Sequence, residues 1–402
     1  MRISINANRC QPSPMRKFHP HAVEAKKMGK KIYHLNIGQP DLPTPQAYYE
    51  AIRKFDAPTL EYEASPGMPV LIDAIRRYYQ TLDVYLDPRD ILITTGGSEA
   101  LLLTLLSILD PYTEVIIPEP YYPNYTTFVN AAGGFIRALP TNPWEGYRYA
   151  SRERIESLIT KNTRAIMITN PGNPTGVVLS HEEMRMIADI AKKHDLFLIC
   201  DEVYREFCYD DKFGVPTMAH FRDIDENLVI IDSVSKRFSA CGARVGCVVT
   251  RNKELQQALL KFCQSRLAVA TMDQVGAAAL YSVGQDFYDA NRAEYIRRRD
   301  LVYDRLKSID GVMVTKPQGA FYIMAALPVD DTHKFQNWLL TSFDDNGDTV
   351  MFAPGGPFYE TPGKGINEVR IAYVLCLEDL NRAMDLLEKG IARYRREVMG
   401  ME

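Results

Sequence analysis

The chain of 402 residues is 46% hydrophobic and 24% charged, an ordinary globular composition with enough apolar material for a large core. A formal net charge of −4 gives no footprint for nucleic acid. The longest apolar run, ALLLTLLSIL at 100–109, is about half a membrane span, so neither nucleic acid nor a membrane is the expected partner. Seven cysteines (Cys10, Cys200, Cys208, Cys241, Cys247, Cys263 and Cys376) form no C-x-x-C pair. An odd number cannot all be bridged, and reduced, buried thiols predict a cytoplasmic protein. MRISINANRCQPSPMRKFHP, at the start, has no apolar targeting core.

In chain order, the first 45 residues are proline-rich and read as irregular. From about 90 to 250, short apolar runs alternate with helical patterns. DILITTGG precedes SEALLLTLLSIL, EVIIPEP precedes YYPNYTTFVNAAG, and RAIMITNPGNPTG precedes SHEEMRMIADIAKKH; LFLICDE, LVIIDS and RVGCVVT follow. Near-continuous apolar strands separated by helices imply a mostly parallel sheet covered on both faces. Ligands of such sheets lie outside the carboxyl ends of the strands, where this chain places TTGGSE, PEPYY, NPGNPTG, DEVY and SVSK. From 252 to 309 the pattern is helical, with QDFYDANRAEYIRRRDLVYDRLKSI as one long helix. Beyond it GVMVTKP, AFYIMAAL, TVMFAPG and EVRIAYV read as strands, with HKFQNWLLTSF and EDLNRAMDLLEKGIARYRRE as helices, a smaller α+β lobe.

The segment SVSKRFSACGARVG at 233–246 brings an amine, two hydroxyls and a guanidinium together. A lysine between a strand and a loop can have its amine pKa lowered and act as a Schiff-base nucleophile. Ser233, Ser235 and Arg244 are the equipment for holding a phosphate. An aldehyde cofactor bearing a phosphate would use both, with Lys236 as its point of attachment. Ser233 and Lys236 also make S-x-x-K, the spacing of serine acyl-transfer enzymes, but the companion motifs S-D-N and K-T-G are absent. TTGGSEAL at 94–101 is a strand end, two glycines and a helix start, where free N–H groups bind phosphate; alone, it is equally a tight turn capped by Ser98. Asp201 of DEVY closes an apolar strand, where a carboxylate can keep a pyridinium nitrogen protonated, and Tyr204 can donate to a phenolate oxygen. Asp201 could otherwise cap a turn. NPGNPTG is dense in turn formers but leaves the amide of Asn173 unassigned. An aromatic in PEPYYPNY can stack on a flat ring. Arg370, inside the apolar strand EVRIAYV, needs a carboxylate from the protein or from a substrate.

In this order, these motifs resemble the fold-type I pyridoxal-phosphate (PLP) enzymes, specifically the class I/II aminotransferases, and are similar to aspartate aminotransferase. The resemblance runs from LNIGQPDLPTP at 35–45 through EYEASPGMPVLIDAI to NEVRIAYV. It implies an α/β fold: an N-terminal arm and part of the small domain (1–45), a large PLP-binding domain with a mostly parallel sheet between helices (46–309), and a smaller C-terminal α+β domain (310–402). It further implies that Lys236 links to the cofactor and carries the proton between substrate Cα and cofactor C4′. Asp201 would pair with the pyridine nitrogen, and Asn173 and Tyr204 would bond the phenolic oxygen. Gly97, Ser98, Ser233, Ser235 and Arg244 would hold the phosphate, and Tyr122 would stack on the ring. Arg370 would clamp the substrate α-carboxylate with the help of Gly38 and Asn173. Tyr62 would reach the phosphate of a neighbouring subunit, so a homodimer with shared active sites follows. The implied reaction moves an amino group from an aspartate-, aromatic- or alanine-type donor to a 2-oxo acid such as 2-oxoglutarate, with no metal. A β-lyase or decarboxylase on the same fold would keep every cofactor residue. Arg266 and Arg16 are the conceivable second cations for a dicarboxylate, with a surface role expected of each; Ser98 and Glu99 supply none.

Overall fold

The computed structural model describes residues 1–401. Its larger sheet has seven strands in the order Ile91–Thr94, Gly246–Val249, Leu228–Ser233, Phe197–Asp201, Thr163–Thr169, Glu114–Pro118 and Phe135–Leu139. Gly246–Val249 alone runs opposite to the other six strands of this sheet. The run LVIIDS is buried at every position, as a strand covered on both faces must be. Along it Leu228 and Ile230 join the core on one side of the sheet, while Val229 and Ile231 join the core on the other.

Helices connect the parallel strands. Gly96–Ile108 follows the first strand, and His181–Lys193 enters through a capping box in which Ser180 and Glu183 satisfy each other's backbone N–H. The chain thus returns each strand's carboxyl end to one edge, which holds Thr94, Pro118, Thr169, Asp201 and Ser233. The antiparallel strand begins at that edge, with Gly246 paired to both Thr94 and Ser233, so Arg244 arrives beside residues distant in sequence. Gly246 is required by close approach: a Cβ there would lie 2.6 Å from the Gly96 carbonyl carbon and 2.7 Å from the Gly97 nitrogen.

The smaller body is a four-stranded antiparallel sheet, Ala353–Pro354, Glu368–Ala372, Tyr322–Ala326 and Met313–Val314. Beside it, Lys31–His34 pairs in parallel with Asp348–Met351. The long helix Gln285–Ser308 spans both bodies: Phe287 and Tyr288 pack on the core of the large sheet, and Tyr295, Val302 and Leu306 are in the core of the small one. The N-terminal segment departs from the irregular reading. His19–Lys27 is a helix with Pro20 in its first turn, and Phe18, Ala22 and Ala25 pack with Ile32, Leu340 and Met351. Proline there marks a helix start and not a break, and the helix's apolar face is satisfied by residues some 300 positions on. Among the described residues no helix is long and apolar enough to cross a membrane, and no cluster of metal-ligating side chains occurs.

Candidate active site

At the carboxyl edge of the large sheet, facing the small body, lies a cavity of about 390 Å³. Gly38, Gly97, Ser98, Tyr122, Asn173, Asp201, Tyr204, Ser233, Ser235, Lys236, Arg244 and Arg370 all line it. Every site residue expected from the sequence is therefore gathered there except Tyr62, which is 84% exposed and does not line its own chain's cavity.

Lys236 sits on a single helical turn, Val234–Arg237, rather than in an irregular loop. Its Nζ donates to the Gly38 carbonyl at 2.9 Å and lies 3.6 Å from Cys241 Sγ; no carboxylate pairs with it among the described residues. Gly38 has no room for a side chain, because a Cβ would fall 1.8 Å from the Tyr322 hydroxyl. The Ser233 hydroxyl caps the turn by accepting from Ser235 N at 3.0 Å, and it meets Ser235 Oγ at 2.8 Å and the Val245 carbonyl at 3.1 Å. A hydroxyl committed in this way, next to an amine bonded elsewhere, is not the nucleophile and base of an S-x-x-K acyl-transfer pair.

Gly96 and Gly97 open the helix Gly96–Ile108 with Thr95, not Ser98, at the N-cap. Gly96 has φ +72° and would press a Cβ to 2.5 Å from an Arg244 Nη, so the guanidinium lies directly over the helix start. Arg244 itself is left-handed at φ +51° and donates to the Cys241 carbonyl at 3.0 Å.

Asp201 ends its strand buried at the cavity floor. It accepts from the Tyr125 hydroxyl at 2.6 Å and from Val203 N at 3.4 Å, and no cation pairs with it among the described residues. Burial first, with the negative charges of Asp232 and Glu202 adding, pushes it up to about 6. Tyr125 is the main residue missed by the sequence reading; only its place in PEPYYPNY pointed to it. On the opposite wall the Tyr204 hydroxyl bonds that of Tyr322 at 3.0 Å and accepts from Asn173 Nδ2 at 3.4 Å. Arg370 donates to Asn173 Oδ1 at 3.1 Å and to the Asn36 carbonyl at 2.7 Å, 4.4 Å from the centroid of the Tyr322 ring. The Tyr122 hydroxyl accepts from Asn124 at 2.7 Å.

Of the two candidate distal cations, Arg266 is not a surface residue: it is mostly buried 3.2 Å from Glu99 and bonds the Ile93 carbonyl. Arg16, with Ser13, lines the cavity.

The carboxyl pKa has a stability consequence. Because Asp201's folded value lies above its ordinary 3.8, the folded protein holds this proton more tightly than the unfolded chain. Stability of the cofactor-free protein is lost as pH rises from about 4 through about 6. About two units correspond to about 3 kcal/mol. The melting temperature of Asp201→Asn should rise relative to wild type across that window and then level off; a constant difference would contradict the assignment.

The architecture and site define the fold-type I class of aminotransferases. Residues 30–382 match the family model for aminotransferase class I and II, and the chain belongs to that family: it is an enzyme that transfers amino groups. It is 34% identical to a probable N-acetyl-LL-diaminopimelate aminotransferase of Bacillus subtilis, over 92% of this chain and 91% of the relative. It is 32% identical to an aspartate aminotransferase of Pyrococcus horikoshii, over 91% and 92%. Among solved structures it resembles an alanine aminotransferase from Pyrococcus furiosus with a TM-score of 0.89 and 30% identity, covering 98% of this chain and all of that one.

Proposed function

We propose that this enzyme uses pyridoxal 5′-phosphate bound in the cavity, taking an amino group from an L-amino acid and giving it to a 2-oxo acid. The observation that carries the reading is Asp201, a buried carboxylate with two hydrogen-bond donors but no cation among the described residues. Such a charge is costly unless a ligand supplies the partner, and a pyridinium nitrogen does so. The remaining donor set fits the same group: the helix start at Gly97 and Ser98 with Ser233, Ser235 and Arg244 for a phosphate, Asn173 and Tyr204 for a phenolic oxygen, and Tyr122 for a ring face. When bound, the cofactor supplies an electron sink for the substrate Cα.

The chain's own residues do the rest. Lys236 would hold the cofactor's aldehyde end, and its Nζ, which lines the cavity beside the Gly38 carbonyl, would serve as the base that takes the proton from substrate Cα and carries it to C4′. Arg370 orients the α-carboxylate with Asn173 and the backbone at Gly38. Tyr125 holds Asp201 in its acceptor orientation. The exposure of Tyr62 suits a residue that completes the phosphate site of a second subunit in a homodimer. Residues 1–45, 46–309 and 310–402 serve as arm, large domain and small domain. Free cysteines at all seven positions suit a cytoplasmic enzyme.

The donor class turns on Arg16, which lines the cavity without a carboxylate partner among the described residues; a cation there suits a donor with a second carboxylate, with 2-oxoglutarate as acceptor. The test is nitrogen-labelled aspartate, glutamate, alanine or tyrosine with an unlabelled 2-oxo acid. Label in the new amino acid, with the acidic donors fastest, supports the reading. Label released as ammonia identifies a lyase, and the absence of label from either product rejects the function.

A further inference from the structure

Behind the cavity, the large sheet buries a group of charges that the proposed chemistry does not use. Asp232 and Arg237 are 0% and 1% exposed. Arg237 Nη2 bonds both carboxylate oxygens of Asp232 at 2.9 Å, and its guanidinium lies 4.1 Å from the centre of the Tyr78 ring. Asp232 Oδ1 also accepts Ser233 N at 2.7 Å. Arg205 lies 3.6 Å from Asp232 and is bonded to Glu202 at 2.6 Å and to the Tyr79 hydroxyl at 2.8 Å. Side chains alternate along a strand, so Asp232 points to the face opposite Ser233, and the pair closes across Ser233–Lys236 from behind.

Stability alone is a poor reason for such a pair. Removing two charges from water costs about as much as their attraction returns, and apolar residues of similar volume are often as stable. Among the described residues Nε and Nη1 of Arg237 have no hydrogen-bond partner, which adds to the cost. What the pair does supply is a fixed end-to-end span for the four-residue segment Ser233–Lys236, which carries both serines and the lysine. We propose that Asp232 and Arg237 are positioning residues: their buried pair sets where the two serines meet the cofactor phosphate and where Lys236 Nζ meets the reacting carbon. The inference rests on the proposed cofactor reading. The electrostatics agree with the geometry, since Asp232 and Glu202 both push Asp201 toward its protonated form, and the two guanidiniums beside them offset that charge.

The test compares wild type with Arg237→Lys, Arg237→Met and the double variant Asp232→Leu/Arg237→Met. Four quantities are measured: the melting temperature without cofactor, the Kd for pyridoxal phosphate, the pH at which the visible band of lysine-linked cofactor changes, and kcat and KM for the donor. Arg237→Met alone should lose stability, because it strands a buried carboxylate. The double variant should recover the melting temperature, yet bind cofactor roughly ten- to a hundredfold more weakly with a displaced band pH, as a misplaced reacting group does. Its kcat should fall with KM near wild type. Arg237→Lys, which keeps the charge and changes its reach, should lie between. A stable double variant with wild-type cofactor affinity, band pH and kcat would overturn the proposal. If the double variant is unstable, wild-type values for Arg237→Lys would overturn it instead. Wild-type protein that takes up no pyridoxal phosphate at all would reject the cofactor reading itself, and the inference with it.

Discussion

Lys236→Ala should reduce amino transfer by at least about 10⁴-fold while leaving the fold intact. A positioned acid–base group contributes about 10²–10⁴, and this residue is assigned the cofactor attachment as well. Among the described residues its amine bonds only the Gly38 carbonyl and Cys241 Sγ and braces no ion pair, so removing it should change cofactor-free stability by no more than about 1 kcal/mol. The variant should still bind pyridoxal phosphate through the phosphate residues and Asp201, but without the visible band of a lysine-linked cofactor. Ser233→Ala separates this account from acyl transfer: it should weaken cofactor binding and leave measurable turnover. Retained transamination in Lys236→Ala, measured with labelled donor, would remove the residue from the chemistry.

The second large effect concerns Arg370. The guanidinium is held by Asn173 and the Asn36 carbonyl against the Tyr322 ring, inside a strand buried at every position. Its planar fork suits a carboxylate in two-point contact, which a lysine ammonium cannot reproduce. Losing a buried, hydrogen-bonded charge pair costs about 2–5 kcal/mol, so Arg370→Lys should lower kcat/KM for amino acid donors by about 10²–10³-fold. Most of the change should appear in KM, because the contact is present before and during the reaction. Cofactor affinity should change little. A variant with unchanged KM and a reduced affinity for pyridoxal phosphate would place Arg370 at the cofactor instead.

Much of this was legible in the sequence because the information is local. Apolar runs ending in glycine, proline or aspartate mark the strands, and a parallel sheet of such strands places NPGNPTG, DEVY and SVSK at one edge. The helix expected over 285–309 matches Gln285–Ser308 almost end to end, since the pattern that marks it is local too. The parts that escaped depend on distant partners. The helix His19–Lys27 looked irregular because its first-turn proline resembles a breaker and its apolar face is completed by Leu340 and Met351. Arg266 looked like a surface residue because Glu99, which pairs with it, is far away in the chain. Tyr125 was one tyrosine among several in an aromatic stretch, and only the fold brings its hydroxyl to Asp201. Asp232 and Arg237 flank the SVSK motif, but alternation along the strand turns the carboxylate to the hidden face.

The central claim is tested most directly by the visible absorption of the purified protein incubated with pyridoxal phosphate, recorded again after an amino acid donor and then after a 2-oxo acid. The account predicts a band from lysine-linked cofactor, its loss when the donor's amino group passes to the cofactor, and its return when the 2-oxo acid takes that group away. A protein that shows no band, or one whose donor is broken down to ammonia while the band persists, would contradict it.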